Sequence, residues 1–291
     1  MTEPVILDKR RVRKSFAHAA DTYDAVAVLQ REIADRLLTR LEVVRLQPQV
    51  ILDIGCGTGY DLRQLSKRYR RAQVLGLDIA ETMARRARSR AGFWRRFTGR
   101  SVFACGDAER LPVASSCVDM AVSNLALQWC DPRAMFAEAR RVLRPGGLFM
   151  FTTFGPDTLR ELRTAWRAAD EEPHVHTFID MHDLGDMLMH AGFADPVMDM
   201  EAFTLTYDDV QGVMRDIKQL GAHNVAVSRA RGLTGKSRFA RFRSSYEALG
   251  RNGKIPATYE AVYGHAWVPE TGSARDGVAA IPVNRIGRRR P

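Results

Sequence analysis

The run Val50 to Asp61, VILDIGCGTGYD, constrains this chain more than any other stretch. Val50, Ile51, Leu52 and Ile54 suit a strand buried on both faces of a parallel sheet. Asp53 stands near its end, and Gly55, Gly57 and Gly59 follow at alternate positions. Glycines there let the backbone turn tightly and press against a ligand with no Cβ in the way. A helix starting near Gly59 or Tyr60 would aim its free N–H groups at the bound molecule. The plainer alternative is an ordinary turn followed by a helix-capping Asp.

The pattern differs from the G-x-G-x-x-G of dinucleotide-binding folds; it reads D-x-G-x-G-x-G with Cys56 inside. A second buried strand, VLGLDIA (Val74 to Ala80), ends on Asp78, at the spacing of about 20 residues where a carboxylate can accept ribose hydroxyls. CGDAERLP, with Asp107 and Ala108, follows a strand at Ser101 to Ala104. CVDMAVSNLALQW reads as a fourth strand, with Asp119 near its start and Asn124 at its carboxyl end. RRVLRPGGLFMFTTF reads as a helix end, a Pro-Gly-Gly turn and a fifth buried strand.

The glycine string resembles motif I of the class I S-adenosylmethionine (SAM)-dependent methyltransferases, and the later pieces follow that superfamily's order. The resemblance implies an α/β, Rossmann-like class I methyltransferase fold: a seven-stranded, mostly parallel sheet with helices on both faces and a helical lid. It implies S-adenosyl-L-methionine as cofactor. The cofactor-binding residues would be Asp53, Gly55, Cys56, Gly57, Gly59, Asp78, Ile79, Met83, Asp107, Ala108, Asn124 and Leu125.

Residues 1–46 carry an apolar stripe at helical spacing, including Phe16, Tyr23, Leu29, Ile33 and Leu37, and are expected to form a helical cap. By that resemblance residues 47–268 are expected to form the SAM-binding domain, with a helical insert at 208–253 that could complete a lid over the carboxyl ends of the strands. A helix is expected over Asp157 to Ala169 and another over Met181 to Ala191. A strand with Met198, Met200 and Phe203 alternating comes next, and a last strand spans Thr258 to Val268. Residues 269–291 are polar and basic, without a hydrophobic pattern, and read as a disordered tail.

No apolar run reaches the ~18 residues that span a bilayer, and the amino-terminal segment has no signal-peptide pattern. The four cysteines, Cys56, Cys105, Cys117 and Cys130, show no paired spacing. Reduced thiols in a cytoplasmic protein fit this better than a disulfide framework or a zinc site. The net charge of +10 is concentrated in two clusters, Arg85 to Arg100 and Arg229 to Arg243. They read either as solvated helix faces or as a docking face for a polyanion. Only Phe93, Trp94 and Phe97 interleave the first cluster, too few for a base-stacking module, so nucleic acid is not an expected partner.

A narrower resemblance covers nearly everything from Val12 to Val268. SFAHAADTYD, VLQREIADRLL, SNLALQWC, FTTFGPDTLRELRTAW, DEEPHVHTFID and TYEAVYGHAWV are similar to the malonyl-acyl-carrier-protein O-methyltransferases of biotin synthesis. That family esterifies the free carboxylate of a malonyl group on the carrier's phosphopantetheine arm. The partner implied is thus an acidic acyl carrier protein, docked on the basic patches, and no membrane is involved. GPDTLRELR and IPATYEAVY also resemble a group of complex I assembly factors associated with arginine hydroxylation. A non-catalytic SAM- or RNA-binding regulator is a third reading.

A malonyl carboxylate, with a parent acid near the Asp and Glu class at about 4, is already ionised at neutral pH. Methyl transfer to it needs no general base. It needs the carboxylate held and aligned, which an Arg and a Tyr hydroxyl can do. Tyr23, Arg160 and Arg163 are the candidates, with Gln128 and Trp129 lining the transfer channel. Tyr23 and Trp129 also suit core positions, and the two arginines suit solvated helix faces. His174, His176, Asp180 and His182 mimic metal-ligand spacing. No cysteine lies near them and the chemistry asks for no metal, so none is expected.

Overall fold

The computed structural model describes residues 7–172, 174, 175, 177–222 and 235–270. Three helices come first: α1 (Lys9–Ala19), α2 (Tyr23–Val26) and α3 (Val28–Thr39). Asp8 caps α1 by accepting the Arg10 and Arg11 N–H groups, two of the donors a helix start leaves unpaired. Strand–helix alternation follows: β1 (Val50–Ile54), α4 (Tyr60–Arg68), β2 (Gln73–Asp78), α5 (Glu81–Arg90), α6 (Phe93–Phe97) and β3 (Ser101–Cys105). Then come β4 (Val118–Ser123), α7 (Pro132–Val142), β5 (Leu143–Phe154), α8 (Arg160–Arg167), α9 (Met181–His190) and β6 (Ala194–Tyr207). The last elements are α10 (Val210–Gln219), α11 (Lys236–Glu247) and β7 (Ile255–Trp267).

The strands form one sheet of seven in the order β3-β2-β1-β4-β5-β7-β6. The first five run parallel, and β7 lies antiparallel between β5 and β6. Alternate residues point to opposite faces. Ile51, Val74, Met120 and Leu148 join the core under α3, α4, α8 and α11. Leu52, Leu77, Ala121 and Phe149 join the core under α7 and α9. In the second layer Phe136, Phe149 and Phe151 are fully buried with ring centroids 5.3 to 5.9 Å apart. Each such ring contributes about 1.5–3 kcal/mol by leaving water. Asp119 accepts from the Gln49 and Val50 N–H groups at 2.8 Å and pairs with Arg144, so it anchors strand starts rather than a ligand.

Four local expectations differ from what forms. Pro145, Gly146 and Gly147 make an irregularity inside β5, where the register against β4 shifts between Val118 and Met120, not a turn before it. Gly146 takes a φ of +75° there. Met200 is 44% exposed while Met198 packs against the α7/α9 core, because the alternation of β6 breaks beside its edge. The helix after β5 spans only Arg160–Arg167, and β7 begins three residues before the expected Thr258, at Ile255. Residues 271–291, Arg229, Arg231 and His176 lie outside the described residues.

Candidate active site

The glycine loop hands the end of β1 to α4 along the carboxyl edge of the sheet. Gly55, Gly57 and Gly59 all have positive φ, at +78°, +51° and +84°. A Cβ on Gly55 would collide with the Ala126 methyl, whereas one on Gly57 would meet nothing within 4 Å. Gly57 is open because it borders a cavity of about 610 Å³. Gly59 instead lets α4 approach the Ala87 backbone of α5, and Cys56 is buried with its sulfur under Gly76. Asp78 braces the loop: one carboxylate oxygen accepts Gly57 N–H at 2.9 Å and the other accepts Ala80 N–H at 2.8 Å.

Gly55, Gly57, Asp78, Ile79, Met83, Asp107, Ala108, Asn124 and Leu125 all line this cavity. Asp53 lies behind it, fully buried, and both its carboxylate oxygens lack a hydrogen-bond partner. One oxygen of Asp61, in the first turn of α4, is likewise buried and unpartnered. A buried carboxylate with no partner is costly, and a cation brought beside it relieves that cost. Burial raises Asp53 well above the ordinary carboxylate range, and the charges of Asp61 and Asp78 add to it. Burial and the charge of Asp35 push Asp61 up to about 7. Burial also lifts Asp78 to about 6, against the pull of the Ala80 and Gly57 N–H groups.

The amino-terminal helices roof the cavity with Lys9, Val12, Phe16 and Tyr23. Ion pairs hold them down: Lys9 Nζ lies 3.0 Å from Asp107 and 2.7 Å from Glu109, and Arg86 lies 2.5 Å from Asp21. Asp24 takes the Thr58 hydroxyl at 2.6 Å and also pairs with Arg90. Burial and the charges of Asp78, Asp61 and Asp24 raise the Tyr23 phenol, so it stays protonated.

A second cavity of about 900 Å³ adjoins the first, and Trp129 lines both. Its walls are largely apolar: Leu159 just before α8, Leu162 and Trp166 of α8, Met214 and Ile217 of α10, and Tyr259 of β7. Gln128 lines this second cavity next to Trp129, its amide held at both ends, donating to Leu125 O at 2.7 Å and accepting the Thr153 hydroxyl at 3.3 Å. His174 is the only His, Lys or Arg among the described residues of this lining; it stacks on Trp166 at 3.7 Å and bonds Asp170 at 2.7 Å. His182 bonds a different carboxylate, Asp180. Arg160 and Arg163 line neither cavity. Arg160 is exposed between Asp157 and Glu161, while Arg163 donates to the Pro156 and Thr158 carbonyls and braces the turn into α8. Arg160 points into solvent and the Arg163 guanidinium is taken up by those two carbonyls, so the carboxylate-holding role expected of them has no support in the geometry.

Residues 52–151 match the model of a methyltransferase domain family. Among solved structures, the YcgJ protein of Bacillus subtilis is 19% identical with a TM-score of 0.56, covering 80% of this chain and 98% of its own. A SAM-dependent methyltransferase of Thermotoga maritima is 17% identical with a TM-score of 0.51, covering 88% and 99%. Likeness at that level shows the fold. Closer relatives decide the family. A malonyl-acyl-carrier protein O-methyltransferase of Gallionella capsiferriformans is 53% identical over 96% of this chain and 97% of its own length. Another, from Nitrosospira multiformis, is 54% identical over 90% of each. This chain belongs to the malonyl-acyl-carrier protein O-methyltransferase family.

For an O-methyltransferase of this family, several site residues have no motif to announce them. Lys9, Asp24 and Thr58 act through contacts between distant parts of the chain. Asp61 carries one sequence signal, an acid in the first helical turn right after the glycine loop. The walls of the second cavity come from α8, α10 and β7, which meet only in the folded chain.

Proposed function

We propose that this chain transfers the methyl group of S-adenosyl-L-methionine to the free carboxylate of a malonyl thioester on acyl carrier protein, giving the methyl ester. The observation that carries the reading is the meeting at Trp129 of a carboxylate-lined glycine-loop cavity with a separate, apolar chamber. The cofactor fits the first cavity because Asp78 and Asp107 line it, Gly57 leaves room there, and the unpartnered oxygens of Asp53 and Asp61 are buried behind the loop, where a nearby cation would relieve them. Asp78 would take the ribose hydroxyls, Asp107 and Ala108 the adenine. Ile79, Met83, Asn124 and Leu125 would pack around them, while Cys56 and Gly59 support the loop from behind.

SAM supplies an electrophilic methyl group. The chain's own residues then align the acceptor, a contribution of up to about 7–11 kcal/mol when two reactants are held in register. Tyr23 donates its hydroxyl to the carboxylate, since its raised phenol does not ionise. Trp129 forms the gate between the cavities, and Gln128, clamped at both ends, lines the acyl side of it. No base is required for an oxygen already ionised at neutral pH. Among the described residues no helix is long and apolar enough to cross a membrane, and the reading sets the enzyme in the cytoplasm with its carrier.

The test is a panel of acyl carriers examined by intact mass. Malonyl-carrier should gain one methyl in the presence of SAM, and acetyl-carrier, which lacks the carboxylate, should gain none. Equal labelling of both would overturn the reading. Arginine hydroxylation and regulation without turnover have no observation in their favour, because relatives at 51–54% identity bear the methyltransferase name.

A further inference from the structure

Helix α8 has two unlike faces. Leu162, Ala165 and Trp166 are buried, and Leu162 and Trp166 line the acyl chamber. Arg160, Arg163 and Arg167 recur at three- and four-residue steps on the other side, as neighbours on a helix surface do. Helix α11 packs beside α8 through Trp166 and Phe242, whose rings stack 4.0 Å apart. It extends the basic stripe with Lys236, Arg238 and Arg241, and Arg241 donates to Ala169 O at 2.9 Å. Acids border this face, yet several are engaged: Asp157 by Arg160, Asp170 by His174 and Arg238, Glu247 by Arg243. Glu171 and Glu172 lie just beyond the end of α8. Arg167 and Lys236 are exposed and have no ion pair among the described residues.

We propose that the outer face of α8 and the start of α11 dock the acidic carrier protein, one helix thickness from the chamber that receives its acyl group. The proposal rests on the methyl-transfer reading and names the partner surface of that same site. An α-helix with its side chains is about 10–12 Å across. A carrier seated on α8 therefore needs only to pass its arm around one helix.

A second basic surface is more strongly charged. From Thr82 to Gly106 the chain holds no acid, and Arg88, Arg96 and Arg100 lie close in sequence to the exposed Phe93, Trp94 and Phe97. Its position rules it out as the carrier's seat. It lies before β3, at the amino end of the edge strand, whereas the chamber opens beyond the carboxyl ends of β4 and β5. Strands stand about 4.8 Å apart and rise about 3.3 Å per residue, so several strand widths and a strand length intervene.

Steady-state kinetics with malonyl-carrier and with carrier-free malonyl-pantetheine separate docking from chemistry. The double variant Arg167→Glu, Lys236→Glu should raise KM for malonyl-carrier at least tenfold. Its kcat, and its kinetics with malonyl-pantetheine, should stay within twofold of the parent. The control Arg96→Glu, Arg100→Glu should match the parent on both substrates. Fluorescence anisotropy of labelled carrier should show the same tenfold loss of binding in the first variant alone, without turnover. An unchanged carrier KM and affinity in the α8–α11 variant, or a loss in the Arg96 and Arg100 variant instead, would overturn the proposal. A parent enzyme inactive on both thioesters would overturn the methyl-transfer reading, while the anisotropy comparison still decides where the carrier sits.

Discussion

Phe16 and Trp129 meet edge to face, their ring centroids 5.4 Å apart, where the roof over the glycine loop touches the gate to the acyl chamber. Aromatic pairs of this kind are worth about 0.5–1.5 kcal/mol beyond the area they bury. Phe16→Ala should therefore weaken SAM binding roughly three- to tenfold at that magnitude and lower kcat, with little loss of thermal stability. Quenching of Trp fluorescence on titration with SAM measures the affinity. An unchanged affinity would mean that α1 does not close the site.

Two neighbouring glycines should respond in opposite ways. Gly55→Ala drives a methyl into Ala126 from a backbone at φ +78°, so it should destabilise the fold by about 1–3 kcal/mol. Gly57→Ala meets no protein atom within 4 Å, so stability should fall only by the left-handed backbone cost of about 1–2 kcal/mol. Its methyl points into the open cavity, and SAM binding should be lost. Denaturation curves beside calorimetric titrations distinguish the two; equal SAM affinities would contradict the placement.

Asp78 both braces the loop and faces the cavity. Hydrogen bonds to a charged group are worth about 1.5–3 kcal/mol. Asp78→Asn should thus weaken SAM binding roughly tenfold to a hundredfold, more than it weakens a SAM analogue lacking the ribose hydroxyls. Equal losses for both would reduce Asp78 to a scaffold residue.

The raised carboxylates set a pH dependence with a definite sign. Asp78 and Asp61 titrate at about 6 and about 7 in the folded chain, against an ordinary 3.8. The folded state then holds more protons than the unfolded one between about pH 4 and 7, so stability of the ligand-free protein should fall as pH rises through that window. A bound cation favours the ionised forms. SAM should therefore bind more tightly as pH rises through the same window, releasing protons. Calorimetry in buffers of different ionisation enthalpy reads the protons, and none released would contradict the assignment.

Strands β1, β2 and β4 were legible because each is a short apolar run with a marked residue at or near its end: Asp53, Asp78, or Asn124 just beyond β4. Burial on both faces leaves few other arrangements for such runs. Pro145-Gly146-Gly147 misled because the same residues make a turn or a bulge, and only pairing with β4 decides. The GPDTLRELR string marks the helix beside the chamber, but spacing alone does not tell that Arg160 stands exposed between Asp157 and Glu161 or that Arg163 is bonded to the Pro156 and Thr158 carbonyls. The Lys9–Asp107 latch joins residues 98 apart and leaves no local trace.

The most direct measurement uses SAM bearing a carbon-13 methyl, malonyl-carrier protein and the enzyme, with the product followed by NMR. The account predicts a single labelled methoxy carbon on the malonyl ester, formed in step with consumption of the malonyl-carrier. A label appearing on nitrogen, or on a carrier whose malonyl carboxylate is absent, would contradict it.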